Sequence, residues 1–153
     1  LDYIHSKKII HRDIKSANIF MCGEDLIDPR IIFKLGDFNL SRIVQDENMS
    51  FCGTKNYMAP EIINKTLYNE KIDIWSFLCV LIELCIRKNI NPILMTKLDL
   101  DEYIKDLTYF EISLINYMHK VDPLDRPDTK EVRKFIINNK PNIVMNRSRS
   151  FST

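Results

Sequence analysis

His11-Arg12-Asp13-Ile14-Lys15-Ser16-Ala17-Asn18 decides how this chain is read. It sets a carboxylate, an ammonium and an amide at spacings of two and three residues. In a loop, Asp13, Lys15 and Asn18 can converge on one anionic, metal-bound group. A carboxylate accepts the proton of a hydroxyl nucleophile, and an ammonium neutralises a phosphoryl group in transit. An amide oxygen ligates a hard cation such as Mg²⁺. Further along, Asp37-Phe38-Asn39 brings a second hard-cation ligand directly after an apolar run. Taken singly, each residue reads equally well as a solvated charge or a turn. Taken together they do not.

Outward from this stretch the chain has the pattern of a small, mostly helical domain. Ile19–Cys22 and Ile31–Leu35 are short β-branched runs separated by the polar segment Gly23–Arg30, which predicts two strands joined by a long hairpin loop. Leu1, Ile4 and His5 have helical spacing. Residues 36–60, broken by Gly36, Gly53 and Pro60, read as an ordered loop. Ile72–Ile86 is apolar nearly all round, as a buried helix should be. Phe110, Leu114, Tyr117 and Met118 recur at helical spacing, and Asp128 with Glu131 predicts a capping box opening a last helix through Ile137. The expected fold is mainly α with a small β-hairpin element, over residues 1–140. Residues 141–153, a basic Ser/Arg segment, read as a disordered tail.

Composition narrows the function. The 153 residues are 45% hydrophobic and 28% charged, ordinary for a globular domain. A net charge of +1 gives no field to recruit nucleic acid or an anionic membrane. The three glycines (Gly23, Gly36, Gly53) form no G-x-G phosphate loop. Cys22, Cys52, Cys79 and Cys85 include no C-x-x-C pair, so free thiols in a reducing, intracellular (cytoplasmic) compartment are expected. The Ile72–Ile86 run is too short to span a bilayer. No N-terminal signal is visible, and a first residue other than Met suggests a fragment.

The octet is similar to the protein kinase catalytic loop H-R-D-L-x-x-x-N, with Ile14 for Leu. Asp37-Phe38-Asn39 resembles that family's D-F-G, Ala59-Pro60-Glu61 its A-P-E, and Asp73-Ile74-Trp75-Ser76 its D-x-W-S helix start. Asp125-Arg126-Pro127 is similar to its late Arg-Pro. The resemblance covers the second half of a kinase. It implies the helical C-terminal lobe without the N-terminal lobe that carries the Gly-rich lid and the strand Lys.

What the resemblance implies for the residues is specific. Asp13 would orient and deprotonate a protein hydroxyl, and Lys15 would stabilise the γ-phosphoryl group of ATP. Asn18 and Asp37 would hold Mg²⁺ against the ATP phosphates. Phe20 would form the floor under adenine while also being a core aromatic. His11 and Phe38 would pack internally, Asp73 would accept hydrogen bonds from the catalytic-loop backbone, and Glu61 would pair with Arg126. Lys15, together with Thr54 contacting Asp13, resembles the serine/threonine class, with some likeness to the tyrosine-kinase-like group. Arg12 resembles the arginine of kinases switched on by activation-loop phosphorylation. A phosphate on Ser50 bridging Arg12 and Arg42 is the regulatory expectation.

Three departures from the family pattern stand out. Asn39 replaces the D-F-G glycine, and asparagine is the residue next most tolerant of left-handed backbone. Leu78 stands where a glycine is usual, and residues 88–106 lack the expected Pro-rich pattern. The implied activity is a serine/threonine protein kinase acting on a protein substrate. The competing expectation is a catalytically inactive kinase-like module that works through protein contacts. Oligomeric state is not legible.

Overall fold

A segment apolar around most of its circumference is stable as a helix when protein covers every side. Lys71–Ile86 is such a segment. In the computed structural model, which describes residues 1–23, 31–43, 50–86 and 107–141, it runs through the core. Ile72, Ile74, Trp75, Leu78, Cys79, Val80 and Ile82 are at most 3% exposed. Leu78, which stands where the resembled pattern usually has glycine, is fully enclosed and adds a buried side chain.

In chain order the elements are α1 (Asp2–Ser6), β1 (Ile9–Ile10), β2 (Ile19–Cys22), β3 (Ile32–Leu35), β4 (Arg42–Ile43), α2 (Pro60–Ile63), α3 (Lys71–Ile86), α4 (Tyr109–Met118) and α5 (Thr129–Asn139). Single 3₁₀ turns lie at Ser16–Asn18 and Lys55–Tyr57. The expected Asp128 capping box opens α5, with Glu131 N–H donating to Asp128 Oδ1 at 2.8 Å. A second box, Thr108 with Glu111, opens α4. Each cap contributes about 1 kcal/mol. Tyr117 of α4 stacks on Phe135 of α5 at 4.4 Å between centroids. Leu114, Ile115, Met118 and Val132 carry the two helices into the core around α3.

β2 and β3 pair antiparallel, from Ile19 opposite Leu35 to Cys22 opposite Ile32. A second small ladder sets β1 against β4, with Ile10 opposite Arg42. The hairpin stands beside the core, and along it Phe20, Met21, Ile32 and Phe33 are exposed. This corrects the expectation that Phe20 is a core aromatic: it is 53% exposed. Its ring lies over Gly36, where a Cβ would come within 2.7 Å of Phe20 Cε2. A cavity of about 370 Å³, lined mainly by apolar side chains that include Ile14, Phe33 and Val132, lies between α1, α5 and the hairpin.

All four cysteines are free thiols, with Cys79 buried and Cys22 exposed. No helix among the described residues is long and apolar enough to cross a membrane. The stretch 88–106 that lacks the Pro-rich pattern, most of the hairpin loop and the Ser/Arg tail beyond residue 141 lie outside the described residues.

Candidate active site

The site is assembled on the first turn of α3. Asp73 is fully buried, and a buried carboxylate is tolerable when donors surround it. Three do. Its Oδ2 accepts from His11 N–H and His5 Nε2, both at 2.8 Å, and its Oδ1 accepts from Arg12 N–H at 2.9 Å. This grip holds Arg12 at φ 68, a left-handed conformation that a non-glycine residue adopts at a cost of about 1–2 kcal/mol. His11 beneath it is enclosed. Its Nε2 lies 3.0 Å from Gly36 O, and its ring meets Phe38 edge-on at 4.7 Å. Phe38 is 46% exposed, so it covers His11 from one side instead of lying inside.

The loop so fixed presents Asp13, 8% exposed, to three partners. Oδ1 accepts from Thr54 N–H at 3.0 Å and from Thr54 Oγ1 at 2.6 Å. Oδ2 accepts from Lys15 Nζ at 2.7 Å and from Asn18 Nδ2 at 3.2 Å. Lys15 Nζ also donates to Thr54 Oγ1 at 3.0 Å. Burial pushes the Asp13 carboxyl up, but the Lys15 ammonium and the Thr54 hydroxyl and amide outweigh it and hold the group below its ordinary value. Asp13 is therefore a carboxylate at neutral pH.

Asn18 Nδ2 donates to Asp13 O at 2.8 Å as well as to the carboxylate. Two acceptors on one end of the amide identify that end as the nitrogen, and the oxygen is left for a cation. Gly36 N–H donates to Asn18 O at 2.9 Å and extends the β2–β3 ladder by one pair. Asp37 follows immediately, exposed, at φ 58. Its carboxylate accepts one long bond, 3.5 Å from Asn39 N–H. The left-handed residue in this turn is thus Asp37 and not Asn39. A carboxylate and an amide oxygen are hard donors, too few for a closed cage. That donor set fits Mg²⁺, which keeps most of its shell as water and phosphate oxygen.

Two further networks brace the site. Glu61 of α2 takes Arg126 in a two-pronged pair, Nη1 to Oε1 at 2.7 Å and Nη2 to Oε2 at 3.0 Å. Arg126 also donates to Lys71 O, Lys120 O and Val121 O, so all five of its N–H groups are used, and its guanidinium lies 5.0 Å over Trp75. Tyr57 Oη donates to Glu83 Oε2 at 2.8 Å and lies 3.2 Å from Ser16 Oγ, tying the loop of residues 11–18 to the wall of α3. Burial raises the Tyr57 phenol, so it remains a donor at neutral pH.

Arg12 Nη1 donates to Ser50 Oγ at 2.8 Å, while Arg42 stands in β4 opposite Ile10, two residues before Arg12. The structure therefore brings Asp13, Lys15, Asn18 and Thr54 into one cluster and sets Asp37 at its edge. Phe20 lies on the hairpin, and the Glu61–Arg126 pair lies behind α3. The roles of His5, Tyr57, Tyr68 and Glu83 were not read from the sequence. Their contacts join segments far apart in the chain and leave no local spacing to notice.

A protein kinase domain family model matches residues 1–138. The serine/threonine-protein kinase Nek5 of Homo sapiens is 37% identical over 145 residues, covering 88% of this chain and 20% of that protein. The serine/threonine-protein kinase pakH of Dictyostelium discoideum is 51% identical over 86 residues, covering 55% and 16%. The mitogen-activated protein kinase kinase kinase dlk-1 of Caenorhabditis briggsae is 44% identical over 91 residues, covering 58% and 10%. The chain spans a fifth or less of the length of each of these three relatives. With the match running nearly end to end, and Asp13, Lys15, Asn18 and Asp37 all present at the motif positions, the chain belongs to the protein kinase domain family.

Proposed function

We propose that this chain carries the catalytic loop of a serine/threonine protein kinase, in which the γ-phosphoryl group of ATP passes to a Ser or Thr hydroxyl of a protein. The observation that supports it most is the knot at Asp13, where one carboxylate is held by Lys15, Asn18 and Thr54 together. The four bonds fill the acceptor positions of that carboxylate. A substrate hydroxyl needs one of them, and Lys15 is the group with reason to leave, since a phosphate attracts its ammonium more strongly than a shared carboxylate does. Lys15 turning to the phosphoryl group thus frees Asp13 Oδ2 for the hydroxyl. The substrate oxygen then bonds to the γ-phosphorus as the bond to the β,γ-bridging oxygen breaks. The hydroxyl proton goes to Asp13.

A carboxylate held this acidic is a weak base. Asp13 orients the hydroxyl first and takes the proton late, when charge has built on the attacking oxygen. Mg²⁺, held by Asn18 and Asp37, would neutralise the phosphate oxygens of the leaving group. Phe20, on the hairpin, would contribute a face to the adenine. A phosphate on Ser50 would draw on Arg12, already 2.8 Å away, with Arg42 nearby in β4. Glu61, Arg126, Asp73, His11 and Phe38 act as supports.

The test is phosphoryl transfer from radiolabelled ATP to a Ser/Thr-rich protein acceptor. It compares this chain with a version extended upstream to include nucleotide-binding elements. Transfer in the extended protein, lost in Asp13→Asn, supports the reading; transfer unaffected by Asp13→Asn refutes it. The apolar side chains exposed along the hairpin favour a second reading, a kinase-like module that docks on a partner without catalysis. That reading predicts no transfer in either version.

A further inference from the structure

Ser50 is held from two sides. Arg12 Nη1 donates to its Oγ at 2.8 Å and approaches its carbonyl at 3.4 Å. Tyr68 Oη donates to the same carbonyl at 2.9 Å, and Arg12 Nη1 lies 3.3 Å from Tyr68 Oη. Phe51, the next residue, meets the Tyr68 ring edge-on at 6.1 Å. A few residues on, the same strand of chain is tied to the catalytic loop again. Thr54 bonds Asp13 through both its amide and its hydroxyl. Between the two anchors Gly53 passes so close that a Cβ there would sit 2.7 Å from Arg12 O. Tyr68 stands just ahead of α3, whose Asp73 holds the backbone of His11 and Arg12. Both ends of the 50–54 segment are therefore referred to the helix that holds the 11–13 backbone, through hydrogen bonds that the unmodified side chains make.

From this we infer that Tyr68 is a positioning residue. Its hydroxyl clasps the Ser50 carbonyl and keeps Thr54 in register with Asp13 while Ser50 is unmodified. The clasp gives the unphosphorylated enzyme a working arrangement of its site. A phosphate on Ser50 would engage Arg12 directly and make the clasp redundant. This inference rests on the kinase reading of the Asp13 cluster.

The test uses the kinase with its nucleotide-binding elements, freed of phosphate by a phosphatase. Tyr68→Phe removes the hydroxyl and keeps the ring against Phe51. One hydrogen bond to a backbone carbonyl corresponds to roughly a three- to ten-fold fall in kcat, with KM for ATP unchanged. Protein carrying phospho-Ser50 recovers most of that loss. Equal kcat for parent and variant without phosphate overturns the clasp. So does an equal loss in both phosphorylation states, which would mark general weakening.

Amide hydrogen exchange on the 153-residue chain reads the same contact without any activity. The Thr54 amide should exchange several-fold faster in Tyr68→Phe, while amides in the middle of α3 keep their rates. Unchanged exchange at Thr54 sinks the clasp whatever the kinase assay gives. Failure of the kinase reading shows separately, as transfer that survives Asp13→Asn or as no transfer in any version.

Discussion

Removing Glu61 should unfold a large fraction of this chain's stability, and the reason can be worked bond by bond. Arg126 is fully buried, and its ion-pair partner Glu61 is 5% exposed. Glu61→Ala leaves the guanidinium enclosed, with two of its five donors unpaired. Stranding one member of a buried pair costs about 3–5 kcal/mol. Against a total of about 5–15 kcal/mol for a domain, that is a fifth at the least. Arg126→Met is at least as costly. It strands the carboxylate, removes the cation over Trp75, and takes the donor from Lys120 O and Val121 O. Apolar replacement of both partners often recovers stability at buried pairs. Here it should recover only part of it, because Lys71 O, Lys120 O and Val121 O all lose the arginine's donors in the double variant too, at about 1–3 kcal/mol each where water stays out. Urea unfolding of Glu61→Ala, Arg126→Met and Glu61→Leu/Arg126→Met at neutral pH measures all three, provided the transitions are two-state. The double variant should lie between the parent and the worse single variant. A double variant as stable as the parent refutes the argument from the carbonyls, and a loss under about 1 kcal/mol in Glu61→Ala refutes the argument from burial.

Lys15 and Thr54 hold the Asp13 carboxyl below its ordinary value, so its contribution to stability is complete above the ordinary carboxyl range and is lost as pH falls through the lowered folded pKa. Its side-chain carbon should titrate in NMR with a midpoint below that of an ordinary aspartate, and Lys15→Met should move the midpoint upward, because the burial that opposes ionisation remains. Gly53 has φ 121 and no room for a Cβ beside Arg12 O, so Gly53→Ala should cost about 1–3 kcal/mol and release Thr54 from Asp13. Thermal unfolding and the Thr54 amide exchange rate read the two effects. Burial pushes the Cys79 thiol up to about 12, so it should resist Ellman's reagent in the folded chain while the exposed Cys22 reacts at once. Early labelling of Cys79 in a mass-spectrometric time course would contradict the packing of α3.

Much of the architecture was legible because it is written locally. The all-round apolar run announced α3, and the alternation of β-branched runs with a polar loop announced the β2–β3 hairpin. Asp128 with Glu131 announced the start of α5. Thr108 with Glu111 is the same signal and could have been read the same way. The β1–β4 ladder could not, since two-residue strands have no periodicity and their pairing joins Ile9-Ile10 to Arg42-Ile43 across the catalytic loop. The site divides along the same line. Asp13, Lys15 and Asn18 lie within one octet, so their spacing alone suggested convergence. His5 reaches Asp73 across 68 positions, and Tyr68 reaches Arg12 across 56, and nothing in either neighbourhood says so. Phe20 misled because an aromatic on a strand is usually buried by the sheet's other neighbours. This strand belongs to a ladder of two.

The contacts among Asp13, Lys15 and Thr54 do not by themselves fix the loops that carry them. Asp13, Lys15 and Thr54 sit on loops, and a loop has no internal reason to keep a left-handed arginine or three donors on one carboxylate. What fixes them is α3. Asp73 fastens the backbone of His11 and Arg12. Ser76 Oγ donates to Tyr57 O at 2.7 Å, and Glu83 takes the Tyr57 hydroxyl. Lys71 O receives Arg126, which carries Glu61 and so the end of the 50–61 segment. Each fastening is polar and sits on a helix whose own position comes from apolar burial, at about 1.5–3 kcal/mol for each enclosed large side chain. The helix is thus fixed by a force with no direction, and it hands on direction through side-chain and carbonyl contacts from four of its residues, Lys71, Asp73, Ser76 and Glu83. A cluster built this way can keep its geometry while Lys15 changes partner, as the proposed transfer requires, because α3 and not Lys15 fixes the backbone that carries Asp13.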